Sequence, residues 1–156
     1  MQVEDVYFHR SVKEQAKQIT DFGVFVSPLD ARLTTDRRSR TITLLSPLIF
    51  VDCNEVEHIV PEGFISDGAS IPRGLWWLFG HPFGGPYRRG AVLHDFQCVM
   101  KALPWDDVHN RFYRTMRADG TSRIKAGAMH QGVFSFGPRW PSDNPSANEF
   151  RDATVL

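Results

Sequence analysis

The stretch GFISDGASIPRGLWWLFG, residues 63–80, decides how the two halves of this chain can be arranged. Gly and Pro recur at short intervals in its first half, where they free or restrict the backbone at defined points. Asp67 before Gly68 favours a turn in which the carboxylate accepts backbone N–H groups, and Ser70 can act similarly ahead of Pro72. The stretch therefore predicts a rigid corner that joins two differently folded halves.

The second half of this corner is an apolar block of four side chains, Trp76 to Phe79. Such a block either anchors the corner in the core or leaves an apolar patch on the surface for a partner. Large apolar side chains are mostly buried in folded proteins, so the block favours an anchor in the core. A partner-binding patch is the alternative.

Short segments with β-strand patterns precede the corner, from Val24 to about Val60. They are GVFVSP, ARLTT, RTITLLSPLIFVDC and EVEHIV, and the turns between them are rich in Pro, Asp and Arg. Pro28 and Pro47 indicate strand ends or edge strands, because proline has no N–H to donate to a ladder. The pattern predicts a small antiparallel sheet over about residues 24–60, and SVKEQAKQI before it predicts a short helix.

The periodicity becomes helical after Pro86. The first helix carries one apolar stripe at i, i+4, i+7 and i+11, which consists of Val92, Phe96, Val99 and Leu103. A second helix has Asp106 as its predicted N-cap and the sequence ADG as its stop. A third begins at Thr121 or Ser122 and ends at Gly137. The predicted fold class is α+β, a small antiparallel sheet packed against a three-helix C-terminal half.

Length and composition predict a single domain, since the chain has 156 residues of which 42% are hydrophobic. We assign residues 1–140 to this domain and residues 141–156 to a tail rich in Pro, Ser and Asn. Such a tail has little apolar surface to bury, so its order should depend on a partner chain. Trp140 and Phe150 are the expected partner-binding residues.

The charge balance argues against nucleic acid as a partner, because 18 Lys and Arg residues match 18 Asp and Glu residues. No apolar run reaches the roughly 18 residues that a membrane span needs, and the N-terminus lacks the pattern of a signal peptide. Cys53 and Cys98 lie in unrelated contexts without a metal-binding spacing, so we expect two buried thiols in a reducing environment.

A His-Asp pair, His94 and Asp95, lies in the first C-terminal helix. Adjacent helical residues point about 100° apart, so these two side chains cannot easily hold one metal ion together. Projection from the apolar stripe puts Asp95 at its edge and His94 nearly opposite, beside Lys101. Because the other histidines are scattered along the sequence, we expect no metal and no cofactor.

The expected position of Asp95 demands hydrogen-bond donors, since an unpaired buried carboxylate costs several kcal/mol. The turn SDGAS, residues 66–70, offers such donors. We therefore predict that Asp95 holds the corner against the helix.

VPEGFISDGASIPR followed by AVLHDF resembles the paired motif of the DUF1353 family, an uncharacterised group common in bacteriophages and prophages. The resemblance covers roughly residues 55–140. The matching positions are Gly63, Phe64, Asp67, Ala69, Ser70, Ile71 and Pro72 in the first motif, and His94 and Asp95 in the second. The family usually has an Asp three residues before the Phe of the second helix, where this chain has His109.

The resemblance implies a phage-encoded accessory or structural protein, such as a tail or baseplate component. Such a protein would act through contacts with other virion proteins, within an oligomeric assembly. It would be located in the virion, or in the host cytoplasm before assembly. The motif residues would then form a corner that defines the fold.

The alternative is a hydrolase, either metal-dependent or based on His and Asp, that acts on a cell-wall or nucleotide substrate. His94 would be a base or a ligand, joined by His109 or His130. Asp67 or Asp95 would supply a carboxylate, and Ser70 is a further candidate, although it lacks the G-x-S-x-G pattern. The sequence leaves both functions open.

Overall fold

A computed structural model describes residues 20–35, 40–68, 70–81 and 83–141. The predicted helix SVKEQAKQI, the motif residue Ala69, and the tail with Phe150 lie outside these residues.

The strands form two antiparallel three-stranded sheets instead of one. They are β1 (Val24–Phe25), β2 (Ala31–Thr35), β3 (Arg40–Leu44), β4 (Leu48–Val51), β5 (Glu57–Val60) and β6 (Ile65–Ser66). One sheet has the order β1-β4-β5 and the other β2-β3-β6. The chain changes sheets between β3 and β4, where Pro47 interrupts the strand pattern as predicted. The last strand, β6, belongs to the corner and pairs Ser66 with Ile42.

In the described residues four helices follow, and three of them form the predicted C-terminal half. They are α1 (Arg73–Phe79), α2 (Arg88–Met100), α3 (Trp105–Ala118) and α4 (Arg123–Phe136). Ser122 caps α4 by accepting a hydrogen bond from the Lys125 N–H at 3.3 Å, as the sequence indicated. The α+β fold is thus confirmed. In the described part of the chain, no helix is both long and apolar enough to cross a membrane.

Two helix starts differ from the sequence analysis. Helix α3 begins at Trp105 with Pro104 as its N-cap, so Asp106 lies in the first turn and is not the cap. The corner contains the short helix α1, which was not predicted. The helix can start here because Pro72 provides its N-cap with a φ of −53°. On α1, Trp76 is half-buried and Trp77 is 88% exposed. The apolar block is therefore divided between core and surface.

Helix α2 is covered on two sides, which corrects the prediction of a single apolar stripe. Val92 and Leu93 pack with the strands, while Ala91 packs with residues of α3 and α4. His94 is 1% exposed and so does not face solvent, whereas Val99, predicted to be in the stripe, is 63% exposed. A helix between two layers buries residues all around its axis, so its periodicity does not identify one buried face.

Trp140 lies in the chain's own core, although the sequence analysis expected it at a partner contact. It is 7% exposed, packs with Cys98 and Val108, and donates its indole N–H to the Leu103 carbonyl at 2.9 Å. The buried indole N–H thus has an acceptor inside the protein, as the N–H of a buried Trp usually does. The expectation of two buried thiols is half wrong, because Cys53 is exposed and Cys98 is buried.

Candidate functional site

Strand β6 and helix α2 meet at a buried hydrogen bond. The Ser66 hydroxyl donates to the Asp95 carboxylate at 2.6 Å, and the two residues are 0% and 4% exposed. Ser66 is the first residue of the SDGAS turn, so the structure contains the contact that the sequence analysis expected. A short hydrogen bond to a buried carboxylate is among the stronger hydrogen bonds in proteins. It connects the corner to the helix that carries His94.

A row of four polar groups runs from the corner into the C-terminal helices. The Ser70 hydroxyl lies 3.4 Å from His94 Nδ1, and His94 Nε2 lies 2.8 Å from His109 Nδ1. His109 Nε2 lies 3.0 Å from the Pro138 carbonyl oxygen. Ser70, His94 and His109 are all buried. The structure thus joins three of the sequence-predicted residues in one hydrogen-bonded chain.

The direction of these hydrogen bonds follows from their last member. A carbonyl oxygen can only accept, so His109 Nε2 carries the proton and, in the neutral ring, Nδ1 is an acceptor. His94 Nε2 must then donate to His109 Nδ1, which leaves His94 Nδ1 as the acceptor for the Ser70 hydroxyl. The Ser70 hydroxyl therefore faces the lone pair of His94 Nδ1. A base in this position can remove the proton from a nucleophile.

Two glycines allow the backbone to place these groups. Gly68 has a φ of +70°, in the left-handed region, and accepts a hydrogen bond from the Ile71 N–H at 3.1 Å, which forms the turn that contains Ser70. At Gly137, a Cβ would collide with the Val133 carbonyl and lie 3.2 Å from His109 Nε2. Only glycine fits against the end of α4 at this position, just before Pro138 accepts from His109.

Both imidazoles of the row are held in the neutral form. Burial, together with the neighbouring His109, lowers the pKa of His94 to about 3. The pKa of His109 is also lowered, mainly by burial, although its hydrogen bond to Pro138 acts in the opposite direction. At neutral pH each ring therefore has one nitrogen free of protons.

Cys98 extends this group, and the sequence analysis did not select it as a site residue. Its Sγ lies 3.7 Å from His94 Nε2, and one ligating atom from each of Cys98, His94 and His109 lies within 4.8 Å of the others. Burial, followed by the charge of Asp95, raises the pKa of the Cys98 thiol to about 12. Two of the histidines that we treated as scattered, His94 and His109, are thus adjacent in space. The spacing of His94 and Cys98, i and i+4 on one helix, was the available signal.

A cleft of about 550 Å³ opens beside these residues. Its walls consist of residues from the corner, from α2, and from the end of α4 and the two positions after it. They are Asp67, Ser70, Pro72, Asp95, Cys98, Val99, Phe136, Gly137 and Pro138. Asp67 thus lies on the cleft wall together with Ser70. His130 is outside the row and bonds instead with Asn110 at 2.9 Å.

This combination of a two-sheet α+β fold and a buried Ser-His-His row occurs in a chain that belongs to a family without an assigned function. Residues 42–133 match the model of the family described as "Protein of unknown function (DUF1353)", and the chain belongs to this family. The family that the two sequence motifs indicated is thus confirmed.

Two curated relatives come from Sinorhizobium fredii. The uncharacterised protein y4jT is 37% identical over 138 residues, which cover 88% of this chain and 41% of the relative. The uncharacterised protein y4iH is 40% identical over 91 residues, which cover 58% of this chain and 38% of the relative. The matched region thus spans about two fifths of each relative's length. No solved structure shows a significant match.

Proposed function

We propose that this chain is a hydrolase that uses Ser70 as a nucleophile and His94 as its general base. The observation that carries the proposal is the directed row from Ser70 through His94 and His109 to the Pro138 carbonyl. A nucleophile, a base and a third group that orients the base are the parts of a catalytic triad, which recurs on unrelated folds. Ser70 also lines the cleft, where a substrate could reach it.

The chemistry would be acyl transfer to water. Ser70 Oγ would attack a carbonyl carbon while its proton passes to His94 Nδ1, and the proton would then go to the leaving alcohol or amine as that bond breaks. A water molecule would attack the acyl-serine by the same route, releasing the acid and restoring the Ser70 hydroxyl. The separation of 3.4 Å is longer than an ideal hydrogen bond, as is common for such pairs before substrate binds.

His109 would act as the positioning residue for His94. In the family pattern that this chain resembles, an Asp usually occupies this place. Aspartate Oδ1 and histidine Nδ1 are the same number of bonds from Cα, so either atom can accept from His94 Nε2. A neutral imidazole orients His94 but does not stabilise its protonated form as a carboxylate would. This chain should therefore be a slower catalyst than a variant with Asp at this position.

The cleft favours a neutral or cationic acyl substrate over a nucleotide. Its charged wall residues are Asp67 and Asp95, and none of the described residues that line it is basic. A phosphate group needs Arg, Lys or a bound cation to offset its charge. Pro72, Val99 and Phe136 supply apolar surface for the remainder of the substrate. Of the two substrate classes considered, cell-wall peptides or esters fit this cleft better.

Reaction with a fluorophosphonate probe tests the proposal, because this reagent modifies activated serines. We expect labelling at Ser70, identified by peptide mass spectrometry, and slow hydrolysis of p-nitrophenyl acetate. Ser70→Ala and His94→Gln should abolish both signals. Ser135→Ala is the matched control, since Ser135 is exposed on α4. Labelling elsewhere, or equal labelling of the His94→Gln variant, would refute the assignment.

We also propose, as a second candidate, the virion role that the family resemblance implies. Trp77 favours it, because Trp is enriched at protein interfaces and this side chain is 88% exposed. Mass spectrometry of purified virions should then find the chain at a fixed copy number, and Trp77→Ala should lower its incorporation. Absence of the chain from virions of a phage that expresses it would exclude this role.

A further inference from the structure

The group of His94, Cys98 and His109 consists of side chains that can ligate a metal ion, a property separate from their acid-base chemistry. One ligating atom of each side chain lies within 4.8 Å of the other two, and all three residues are buried. We infer that His94 Nε2, His109 Nδ1 and Cys98 Sγ form a binding site for a zinc-like divalent metal ion, with a fourth position open to the cleft.

The distances suit a tetrahedral ion. Zinc bonds of about 2.0–2.1 Å to nitrogen and about 2.3 Å to sulfur place the ligand atoms roughly 3.3 to 3.6 Å apart. The separation between Cys98 Sγ and His94 Nε2 is 3.7 Å, which already fits. The two histidine nitrogens are 2.8 Å apart, so a bound ion would move the rings apart by about 0.5 Å to reach that spacing.

The outer nitrogens of both rings have the partners that metal-bound histidines use. His109 Nε2 donates to the Pro138 carbonyl at 3.0 Å, and His94 Nδ1 lies 3.4 Å from the Ser70 hydroxyl. In metal sites, such outer contacts fix the ring so that its other nitrogen faces the ion. Here the nitrogens without these outer partners, His94 Nε2 and His109 Nδ1, are the two that face each other.

The ligand chemistry selects the class of metal. Two imidazoles and one thiolate favour zinc, cobalt or similar soft ions over magnesium or calcium, which need oxygen ligands. On binding, the Cys98 thiol would release its proton to water and the metal–sulfur bond would form in its place. Both rings are neutral because burial lowers the pKa of each, so neither ring has to release a proton to solvent, although the proton of His94 has to leave Nε2.

The site would be open on one side. Cys98 lines the cleft together with Gly137 and Pro138, so solvent or a small ligand can approach the ion there. Three protein ligands with one open position distinguish reactive or regulatory zinc sites from closed structural ones.

Metal binding would also change the hydrogen bonds of His94. With Nε2 bonded to the ion, the ring proton must move to Nδ1, which then donates to Ser70 instead of accepting from it. The ion would therefore switch off the base of the proposed hydrolase. This consequence rests on the proposed function, whereas metal binding itself does not.

Titration of the chelator-treated full chain with Co²⁺ tests the site without any substrate. We expect one ion per chain, the intense visible bands of a tetrahedral ion, and a thiolate-to-cobalt charge-transfer band. Cys98→Ser should lose the charge-transfer band, while Cys53→Ser is the matched control and should keep it, because Cys53 is exposed. Ser70→Ala should still bind cobalt, so the site is separable from the hydrolase. Absence of these bands in wild type, or their loss in Cys53→Ser, would overturn the inference.

X-ray absorption of the zinc-loaded wild type gives a second test that depends on no variant. It should show about one sulfur and two imidazole nitrogens around the ion. A first shell made only of oxygen would overturn the site even if zinc is retained. If zinc binds as expected, it should also suppress fluorophosphonate labelling at Ser70. Persistent labelling with the ion in place would overturn only the proposed effect on the base.

Discussion

The hydrogen bond between Ser66 and Asp95 is a buried contact whose removal should loosen the corner from helix α2. It joins residues 29 positions apart at 2.6 Å, and both residues are almost completely buried. We consider Ser66→Ala and Asp95→Asn, each alone and both together. The double-mutant cycle separates the energy of this contact from other effects of each substitution.

The magnitude follows from the burial and the charge. A hydrogen bond to a charged group contributes about 1.5–3 kcal/mol, and Ser66→Ala removes a donor from a carboxylate that is only 4% exposed. Asp95→Asn retains one oxygen as an acceptor but introduces a buried NH₂ group, so a similar cost of about 1–3 kcal/mol is expected. For a chain of this length, about 2 kcal/mol corresponds to a decrease in Tm of roughly 4 to 8 °C.

Urea unfolding at pH 7, followed by circular dichroism, provides the free energies. The double variant should be more stable than the sum of the single losses implies, with a coupling of about 1–2 kcal/mol. Asp107→Asn is the control, since Asp107 is exposed on α3, and should change stability by less than about 0.5 kcal/mol. Additive losses within about 0.3–0.5 kcal/mol would refute the reasoning. Unchanged stability of Asp95→Asn with lost labelling of Ser70 would instead make Asp95 an active-site residue.

Three other predictions concern the row of histidines. His109→Asp should place a carboxylate against His94 Nε2, raise the pKa of His94 and accelerate labelling of Ser70 several-fold. The uncharged His109→Asn should have neither effect, and equal labelling rates for the two variants would contradict the role of charge. His94 is neutral in the folded protein, where its pKa is about 3, but takes up a proton below about pH 6.5 in the unfolded chain. The free energy of unfolding should therefore decrease as the pH falls from about 6.5 to about 3, by at most about 1.4 kcal/mol per pH unit. Unfolding measured from pH 7 to 4 should therefore have a shallower slope for His94→Gln, and the same slope as wild type would be inconsistent with a buried neutral ring. Gly137→Ala should cost about 1–3 kcal/mol and weaken the His109 contact to Pro138, since its Cβ has no room beside the Val133 carbonyl; a variant with wild-type Tm would show that the chain can move away.

Sequence periodicity and turn chemistry were sufficient for most elements of this fold, but not for β6 and α1 in the corner. Pro47 marks the break between β3 and β4, Ser122 caps α4 at one of its two predicted starts, and α3 ends at the first residue of the predicted stop. These features depend on backbone properties of single residues or on neighbours a few positions apart. The contact of Asp95 with the SDGAS turn was also predictable, because a buried carboxylate next to small residues requires donors and the turn supplied them.

The site itself depended on how the elements pack. His94 was placed on the wrong side of α2 because a single apolar stripe was assumed, whereas this helix has a core on both sides. The link from His94 to His109 joins residues 15 positions apart on different helices, and its end at Pro138 lies a further 29 positions along the chain. Polar side chains buried between helices have no hydrophobic periodicity that reveals their partners. Sequence therefore determined most of the helices and strands and one local requirement at Asp95. Only tertiary packing of α2 against α3 brought His94 and Cys98 to His109, and only the fold of the corner brought Ser70 to His94.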